Sequence, residues 1–233
     1  VYANEGVWPG FDAPPELLTW PEVFSHAGCT TGSFGKHHVP NSILKWDHHD
    51  PTGGGMKIFS EHLPPDDPSI IRAAGVNGGR YPADAPYPAE QVTDRGLAWL
   101  AERDENERWL TRFSYLQPHT PVYPPAWAVA EVENDPASAA ISGEIEPPGD
   151  VSELEKRFAA TMSTDELTPE QIRLTRVYYH ALVTWVDHEV GRILDWLQRH
   201  NMVDNTIVWF ESDHGAALGE DGGRSANHMF EPE

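Results

Sequence analysis

The sequence predicts an α/β fold in which helices flank a mostly parallel β-sheet. Three short stretches, residues 30–34, 108–116 and 206–210, are rich in β-branched and aromatic residues and stop at turn-forming residues, as buried strands do. Helical patterns over residues 93–107 and 168–200 separate these stretches along the chain. Because strands that alternate with helices are joined by crossovers, neighbouring strands are expected to run parallel. We expect the sheet to be incomplete at both ends of the chain.

The first element is predicted to be a short helix that ends at His26. Thr19 and Glu22 have the spacing of a capping box, and a proline stands in the first turn, where its missing N–H costs nothing. The strand over residues 30–34 follows and ends at the polar sequence Gly-Lys-His-His. A polar sequence directly after a buried strand marks a candidate site.

Residues 40–92 contain many Pro, Gly, Asp and His and no sustained period, so we predict a loop-rich insertion. The helix over residues 93–107 leads into the strand over residues 108–116. That strand stops at the sequence Gln-Pro-His-Thr-Pro, because proline cannot donate to a sheet ladder.

Residues 124–165 form a second predicted insertion, acidic and rich in Pro and Ala. The clearest helix of the chain follows, with Thr168 as its N-cap and a proline at the first helical position. Asn201 is a candidate left-handed C-cap. Apolar residues recur at helical spacing along the helix: Ile172, Val177, Tyr178, Ala181, Leu182, Trp185, Val186, Val190, Ile193 and Leu197.

Composition excludes several classes of function. The chain carries 37 Asp and Glu against 16 Lys and Arg, a formal charge of −21, so nucleic acid is not an expected partner. No run of 18 apolar residues exists, which argues against a membrane span. Cys29 is the single cysteine and excludes an intrachain disulfide and a cysteine-based zinc cluster. Since the acidic surface repels anions, any anion site needs local positive charge.

Chemistry-bearing side chains follow each of the three predicted strands. Lys36 and His38 follow the first strand, His119 follows the second, and Asp213 and His214 follow the third. The carboxyl ends of parallel strands lie at one edge of a sheet, so these groups can converge. Lysine and histidine can neutralise the oxygens of a tetrahedral anion, and an Asp–His pair can hold a divalent metal. The set suits the transfer of a tetrahedral anion.

Simpler interpretations stay open for several of these side chains. Lys36 fits a surface lysine, and His119 fits a histidine that only satisfies backbone carbonyls in a proline-flanked turn. His37 is interpreted as structural or pocket-lining. Residues 47–49, with two adjacent histidines, and His62 lack the spacing of metal ligands and are interpreted as a solvated loop.

Taken in order, the motifs resemble those of the sulfatases of the alkaline phosphatase superfamily. Residues 28–38, GCTTGSFGKHH, resemble the family's AGY-T-x-x-x-GK-x-H segment, and residues 117–125, QPHTPVYPP, resemble its PHTP…PP segment. Residues 178–219 follow the family's pattern up to SDHG…LG. The resemblance implies a three-layer αβα fold like that of alkaline phosphatase, with residues 1–233 as one partial catalytic domain.

The resemblance also implies roles for the matching residues. Lys36 would bind a sulfate oxygen. His38 would act as the base when the sulfated intermediate collapses. His119 would contact the sulfate and help to protonate the leaving alcohol. Asp213 would be a metal ligand, and His214 a ligand or a close neighbour of the metal. The family metal is usually calcium; because histidine is a softer ligand, manganese or zinc stays open.

Parts of the family's pattern are missing from the sequence. The C/S-x-P-x-R motif, whose Cys or Ser becomes the formylglycine nucleophile, does not occur, and no pair of adjacent aspartates precedes residue 28, where the family has the pair that completes its metal site. The lysine expected near the end is also missing, and Arg224 or His228 is a candidate replacement that would bind substrate. We therefore expect the nucleophile upstream of this chain, and the isolated segment to be inactive.

The expected reaction is the hydrolysis of a sulfate ester, either a small molecule or a glycan. A phosphomonoester, phosphodiester or phosphonate hydrolase of the same superfamily is the first alternative, although the Lys36-x-His38 pair favours a sulfatase. A non-catalytic protein that binds anions is the second. A periplasmic or secreted location is favoured over a cytoplasmic one, and the oligomeric state stays open.

Overall fold

The computed structural model describes residues 18–37, 41–54, 71–73, 76–83, 85–104, 106–144, 167–218 and 224–225. The chain divides into two compact units. The first unit comprises residues 1–58, 86–116 and 189–200. The second unit comprises residues 59–85, 117–188 and 201–233.

The described helices and strands follow one another in this chain order. The helices are α1 (Trp20–His26), α2 (Asn41–Leu44), α3 (Pro88–Ala101), α4 (Ala126–Asn134) and α5 (Pro169–Arg199). The strands are β1 (Thr30–Gly35), β2 (His48–Asp50), β3 (Ile71–Ala73), β4 (Val76–Gly78), β5 (Trp109–Ser114), β6 (Ala217–Leu218) and β7 (Arg224–Ser225). Single 3₁₀ turns cover Pro136–Ala140 and Val203–Asn205.

A parallel sheet with strand order β2-β1-β5 forms the centre of the first unit. Strand β1 pairs with β5 from Thr30↔Trp109 to Gly35↔Ser114 and with β2 from Gly32↔His48 onward. Its residues 31–35 are all buried, without the alternation of a half-exposed strand. This burial is typical of parallel sheets covered on both faces. The predicted parallel sheet flanked by helices is confirmed.

Helix α3 packs on this sheet through contacts that two glycines make possible. A Cβ on Gly96 would lie 2.1 Å from a ring carbon of Phe113, and one on Gly32 would lie 3.1 Å from the indole of Trp99. The helix spans Pro88–Ala101 and so begins and ends earlier than the predicted 93–107. It starts earlier because Pro88 takes the first helical position, where its missing N–H and fixed φ are favourable.

Both predicted end signals of the long helix α5 are confirmed. The N–H of Gln171 donates to Thr168 Oγ1 at 3.2 Å, and the N–H of Thr168 donates to Gln171 Oε1 at 2.9 Å, a reciprocal capping box. Asn201 has φ +56°, the left-handed conformation predicted for the C-cap. Most of the predicted apolar stripe is buried: Ile172, Val177, Tyr178, Ala181, Leu182, Trp185 and Leu197 are at most 3% exposed.

The two stretches predicted to be loop-rich contain more regular structure than expected. Residues 40–92 include α2, β2, the antiparallel pair β3–β4 and the start of α3, and residues 124–165 include α4. In the second unit, isolated parallel β-bridges pair Gly78 with Val122 and Tyr81 with Pro125. These bridges connect part of residues 40–92 to the segment that precedes α4. None of the described helices is long and apolar enough to cross a membrane.

The strand predicted over residues 206–210 does not form, and that prediction is wrong. The segment forms no ladder with any described strand. Ile207, Trp209 and Phe210 are 95%, 79% and 73% exposed. β-Branched and aromatic residues favour a strand only where a neighbouring strand supplies hydrogen bonds and a packing surface. The described residues supply neither beside this segment.

Candidate functional site

Lys36 stands directly beyond the carboxyl end of the central strand β1. Its N–H donates to the carbonyl oxygen of Ser114 on β5 at 2.7 Å. Gly35 turns the chain there with φ +92°, and a Cβ at this position would lie 2.2 Å from the same carbonyl oxygen. The lysine is therefore fixed to the sheet edge by its backbone, where α/β proteins bind ligands.

Arg112 on β5 holds the same turn from the side. Its Nη2 donates to the carbonyl oxygen of Lys36 at 3.1 Å, its Nε donates to Ser33 Oγ at 3.0 Å, and its guanidinium lies 5.6 Å from the centre of the Trp46 ring. The sequence reasoning missed Arg112. An arginine inside a largely apolar strand could have identified it, because a charged side chain in a buried strand needs hydrogen-bond partners.

His37 is bonded back onto the strand that precedes it. A carbonyl oxygen only accepts, so His37 Nδ1 donates to Gly35 O at 2.7 Å; Nε2 lies 2.8 Å from Ser33 Oγ. The ring meets that of His49 edge to face, with centroids 3.8 Å apart. Burial lowers the pKa of His37 to about 4, and the charges of Arg112 and His49 add to the effect. This imidazole is neutral at pH 7.

Residues 47–49 are accessible to solvent, as expected, with Asp47 and His48 exposed, but they do not form the expected loop. His48 and His49 begin strand β2, and Asp47 Oδ2 accepts hydrogen bonds from the N–H and the hydroxyl of Thr31, both at 2.9 Å. Burial lowers the pKa of His49, and the positive charge of Arg112 adds to this effect. The stretch pairs with β1 because its carboxylate satisfies backbone and side-chain donors of that strand. His62 lies outside the described residues.

His119 lies in the proline-flanked turn after β5, as predicted. Its Nδ1 donates to the carbonyl oxygen of Thr120, and the ring is half-buried. With the proton on Nδ1, a neutral His119 presents Nε2 as an acceptor. The contact satisfies a backbone carbonyl and orients the ring at the same time. The role of Nε2 toward a substrate stays a prediction.

Asp213 and His214 form an exposed pair on the second unit. The N–H of His214 donates to Asp213 Oδ1 at 3.0 Å, and its Nδ1 donates to Gly215 O at 2.8 Å. Nε2 then carries no proton in the neutral ring and lies 3.7 Å from Asp213 Oδ2. A hydrogen bond that fixes the tautomer in this way is typical of metal-ligating histidines. Within the described ranges no three His, Cys, Asp or Glu side chains cluster closely enough to hold a metal.

The remaining predicted site residues are described only in part. His38 lies outside the described residues, and of Arg224 the structure gives the backbone, which pairs with Leu218. Lys36 belongs to the first compact unit, whereas His119, Asp213 and His214 belong to the second. Asp213 and His214 are consecutive in sequence, and the structure shows a hydrogen bond between them. Their convergence with Lys36 in a common pocket stays a prediction.

Comparison with known protein families gives a match over almost the whole chain. The model of the family described as Sulfatase matches residues 3–232. Among curated proteins, a sulfatase of Formosa agariphila is 24% identical over 247 residues, which cover 94% of this chain and 46% of that protein. The N-acetylglucosamine-6-O-sulfatase of Bacteroides thetaiotaomicron is 23% identical over 269 residues, covering 91% of this chain and 47% of that protein. The chain spans about half the length of these relatives.

Solved structures show the same fold at low sequence identity. BT4656, solved with its substrate D-glucosamine-2-N,6-O-disulfate, has a TM-score of 0.60 and 19% identity, covering 93% of this chain and 53% of that one. The phosphonate monoester hydrolase of Agrobacterium radiobacter has a TM-score of 0.62 and 15% identity, covering 93% and 51%. The sheet flanked by helices is therefore that of the alkaline phosphatase-like enzymes.

Proposed function

Since this chain belongs to the sulfatase family, we propose that the protein containing it hydrolyses sulfate esters. The observation that carries the proposal is the placement of Lys36 at the carboxyl end of β1, held there by Ser114 and Arg112. An ammonium group at this edge supplies the local positive charge that an anionic substrate needs near a chain of formal charge −21. A sulfate oxygen is the group that Lys36 would bind.

The proposed proton transfers fall to two histidines. His119, whose ring is oriented through Nδ1 by the Thr120 carbonyl, would present Nε2 to the leaving-group oxygen. To donate there, His119 must carry a proton on both ring nitrogens. His38 would remove a proton from the nucleophile when the sulfated intermediate collapses. A formylglycine supplied from outside these 233 residues would be that nucleophile.

Asp213 and His214 are the residues that we propose as metal ligands. One carboxylate oxygen and one unprotonated imidazole nitrogen, 3.7 Å apart, are chemically suited to a shared divalent cation. Further ligands would come from residues outside the described part of the chain. We propose calcium, with manganese or zinc as alternatives that the histidine would favour. When bound, the cation would stabilise negative charge on the reacting group.

The substrate class follows from relatives and is part of the proposal. The N-acetylglucosamine-6-O-sulfatase and the glucosamine disulfate complex favour a sulfated glycan as the substrate. The structural likeness to a phosphonate monoester hydrolase favours a phosphonate or phosphate ester as the alternative. A periplasmic or secreted location stays a prediction.

A comparison of substrates with the same leaving group tests the reaction class. We expect the complete protein to release nitrophenol from 4-nitrophenyl sulfate with a higher kcat/KM than from 4-nitrophenyl phosphate or a 4-nitrophenyl phosphonate monoester. The shared leaving group means that the difference reports the group being transferred. A higher kcat/KM for the phosphonate would replace the sulfatase proposal by the phosphonate hydrolase. Saturable sulfate binding without turnover of any of these esters would indicate a non-catalytic anion-binding protein.

A further inference from the structure

We propose that a hydrogen-bonded relay of Arg112, Ser33 and His37 positions Lys36, and that Arg112 is a positioning residue for the proposed sulfate site. The relay lies within the first compact unit and joins strand β5 to both sides of the turn that carries Lys36. The inference rests on the proposed function only where it assigns Lys36 to binding of the sulfate group. The relay consists of the side chains of Arg112, Ser33 and His37. Arg112 is separated in sequence from the other two by more than 70 residues.

The direction of each hydrogen bond in the relay is fixed by chemistry. Gly35 O only accepts, so the His37 proton is on Nδ1 and Nε2 is an acceptor in the neutral ring. The hydroxyl of Ser33 therefore donates to His37 Nε2 at 2.8 Å. The oxygen of Ser33 is then available to accept from Arg112 Nε at 3.0 Å. Each of these three hydrogen bonds has one donor and one acceptor in this arrangement of protons.

The fork of the guanidinium is what ties the relay to Lys36. Arg112 uses Nε for Ser33 and Nη2 for the carbonyl oxygen of Lys36, at 3.0 and 3.1 Å. A lysine carries a single ammonium at the end of a flexible stem and cannot match two acceptors held in this planar geometry. The Trp46 ring beneath the guanidinium adds a further contact. Arginine is therefore specifically required at this position.

The charges around His37 keep the relay in its neutral arrangement. Arg112 faces the ring from β5 and His49 faces it from β2; beyond His49 lie His48 and Asp50, and Arg95 of α3 pairs with Asp50 at 3.4 Å. Protonation would remove the acceptor at Nε2 and add a positive charge beside Arg112. Because burial lowers the pKa of His37 to about 4, the neutral ring is favoured by folding. The stability from this preference is complete above pH 6.5 and is lost as pH falls toward 4.

Nitrogen-15 NMR of the His37 ring tests the relay without any assay of activity. We expect the Nδ1-protonated neutral tautomer at pH 7, with titration well below the ordinary range of histidine. In Ser33→Ala the Nε2 acceptor loses its donor, so the tautomer preference is expected to weaken. A ring protonated on Nε2 at pH 7, or a His37 that titrates normally near pH 6.5, would overturn the relay.

Kinetics of Arg112→Lys test whether the relay acts through Lys36. We expect kcat/KM for 4-nitrophenyl sulfate to fall about tenfold to a hundredfold, the effect of losing a hydrogen bond made by a charged group. Arg108→Lys is the matched control, because Arg108 is exposed and donates to Ala27 O near the start of β5; we expect it to act like wild type.

A double variant separates positioning from a general loss of stability. In a Lys36→Ala background, Arg112→Lys is expected to cause little further loss of kcat/KM, because the group that it positions has been removed. If the losses of kcat/KM caused by Lys36→Ala and Arg112→Lys multiply in the double variant, Arg112 does not act by positioning Lys36. If the wild-type protein turns over no sulfate ester, the proposed function fails, and the NMR result still decides whether the relay exists.

Discussion

Replacing Lys36 by alanine in the complete protein is expected to lower kcat/KM for sulfate-ester hydrolysis by about 10²–10³-fold, and His119→Ala by a similar factor. The physical reason is that each side chain would act on charge that develops as the ester bond breaks. Lys36 would offset charge on a sulfate oxygen, and His119 would offset charge on the leaving oxygen. The loss should therefore appear mainly in kcat. The measurement is the initial rate of sulfate release over a range of ester concentrations.

Lys45→Ala is the matched control for this prediction. Lys45 is another lysine of the first unit, but its Nζ pairs with Glu22 Oε1 at 2.6 Å and its side chain is 46% exposed. Its removal costs a surface ion pair and is expected to leave the rate within about twofold of wild type, since such pairs contribute little. Near-unchanged rates in Lys36→Ala or His119→Ala would remove that residue from the proposed site.

Gly35→Ala is expected to cause the largest loss of stability among substitutions at the turn that carries Lys36. Gly35 has φ +92°, and its added Cβ would lie 2.2 Å from the carbonyl oxygen of Ser114 and 2.8 Å from a methyl of Val92. The oxygen belongs to the β5 backbone and cannot move without breaking its hydrogen bond from Lys36. We expect a fall of about 3 kcal/mol or more in the free energy of unfolding, more than left-handed backbone strain alone provides.

Gly28→Ala separates the cost of the left-handed backbone conformation from the cost of the steric clash. Gly28 also has positive φ, +82°, but an added Cβ there meets nothing within 4 Å. Its cost should be that of the left-handed conformation alone, about 1–2 kcal/mol. The comparison is made by urea unfolding of both variants under the same conditions. Equal losses would show that the carbonyl of Ser114 does not restrict position 35.

Local signals predicted helices α1, α3 and α5 and strands β1 and β5 of the parallel sheet, but not α2, α4 or β2. The capping box at Thr168 and the left-handed Asn201 fix both ends of α5, and each is a property of a few neighbouring residues. The strand over Trp109–Ser114 was readable for the same reason. The segment 206–210 has equal strand propensity but no described strand beside it, so its composition alone could not decide its conformation.

The sequence predicted the candidate site residues but not the side chains that hydrogen-bond to their neighbourhood and fix their positions. Lys36 and His119 were recognisable because each follows a strand in a motif with fixed spacing. Arg112 was not, because its partners Ser33 and Lys36 are distant in sequence and meet it only once β1 pairs with β5. The same holds for Asp47, whose carboxylate became a partner of Thr31 through the fold. Local sequence patterns could not predict contacts that form only when the strands pair.

We propose from the family resemblance that Lys36 and His119 act on one sulfate group, and a double-mutant cycle in kcat/KM for sulfate release tests this proposal most directly. Groups that act as a unit in one transition state give strongly non-additive losses. We predict that Lys36→Ala combined with His119→Ala loses no more than about tenfold beyond the more damaged single variant. Losses that multiply, as for independent and distant sites, would contradict a common site for the two residues.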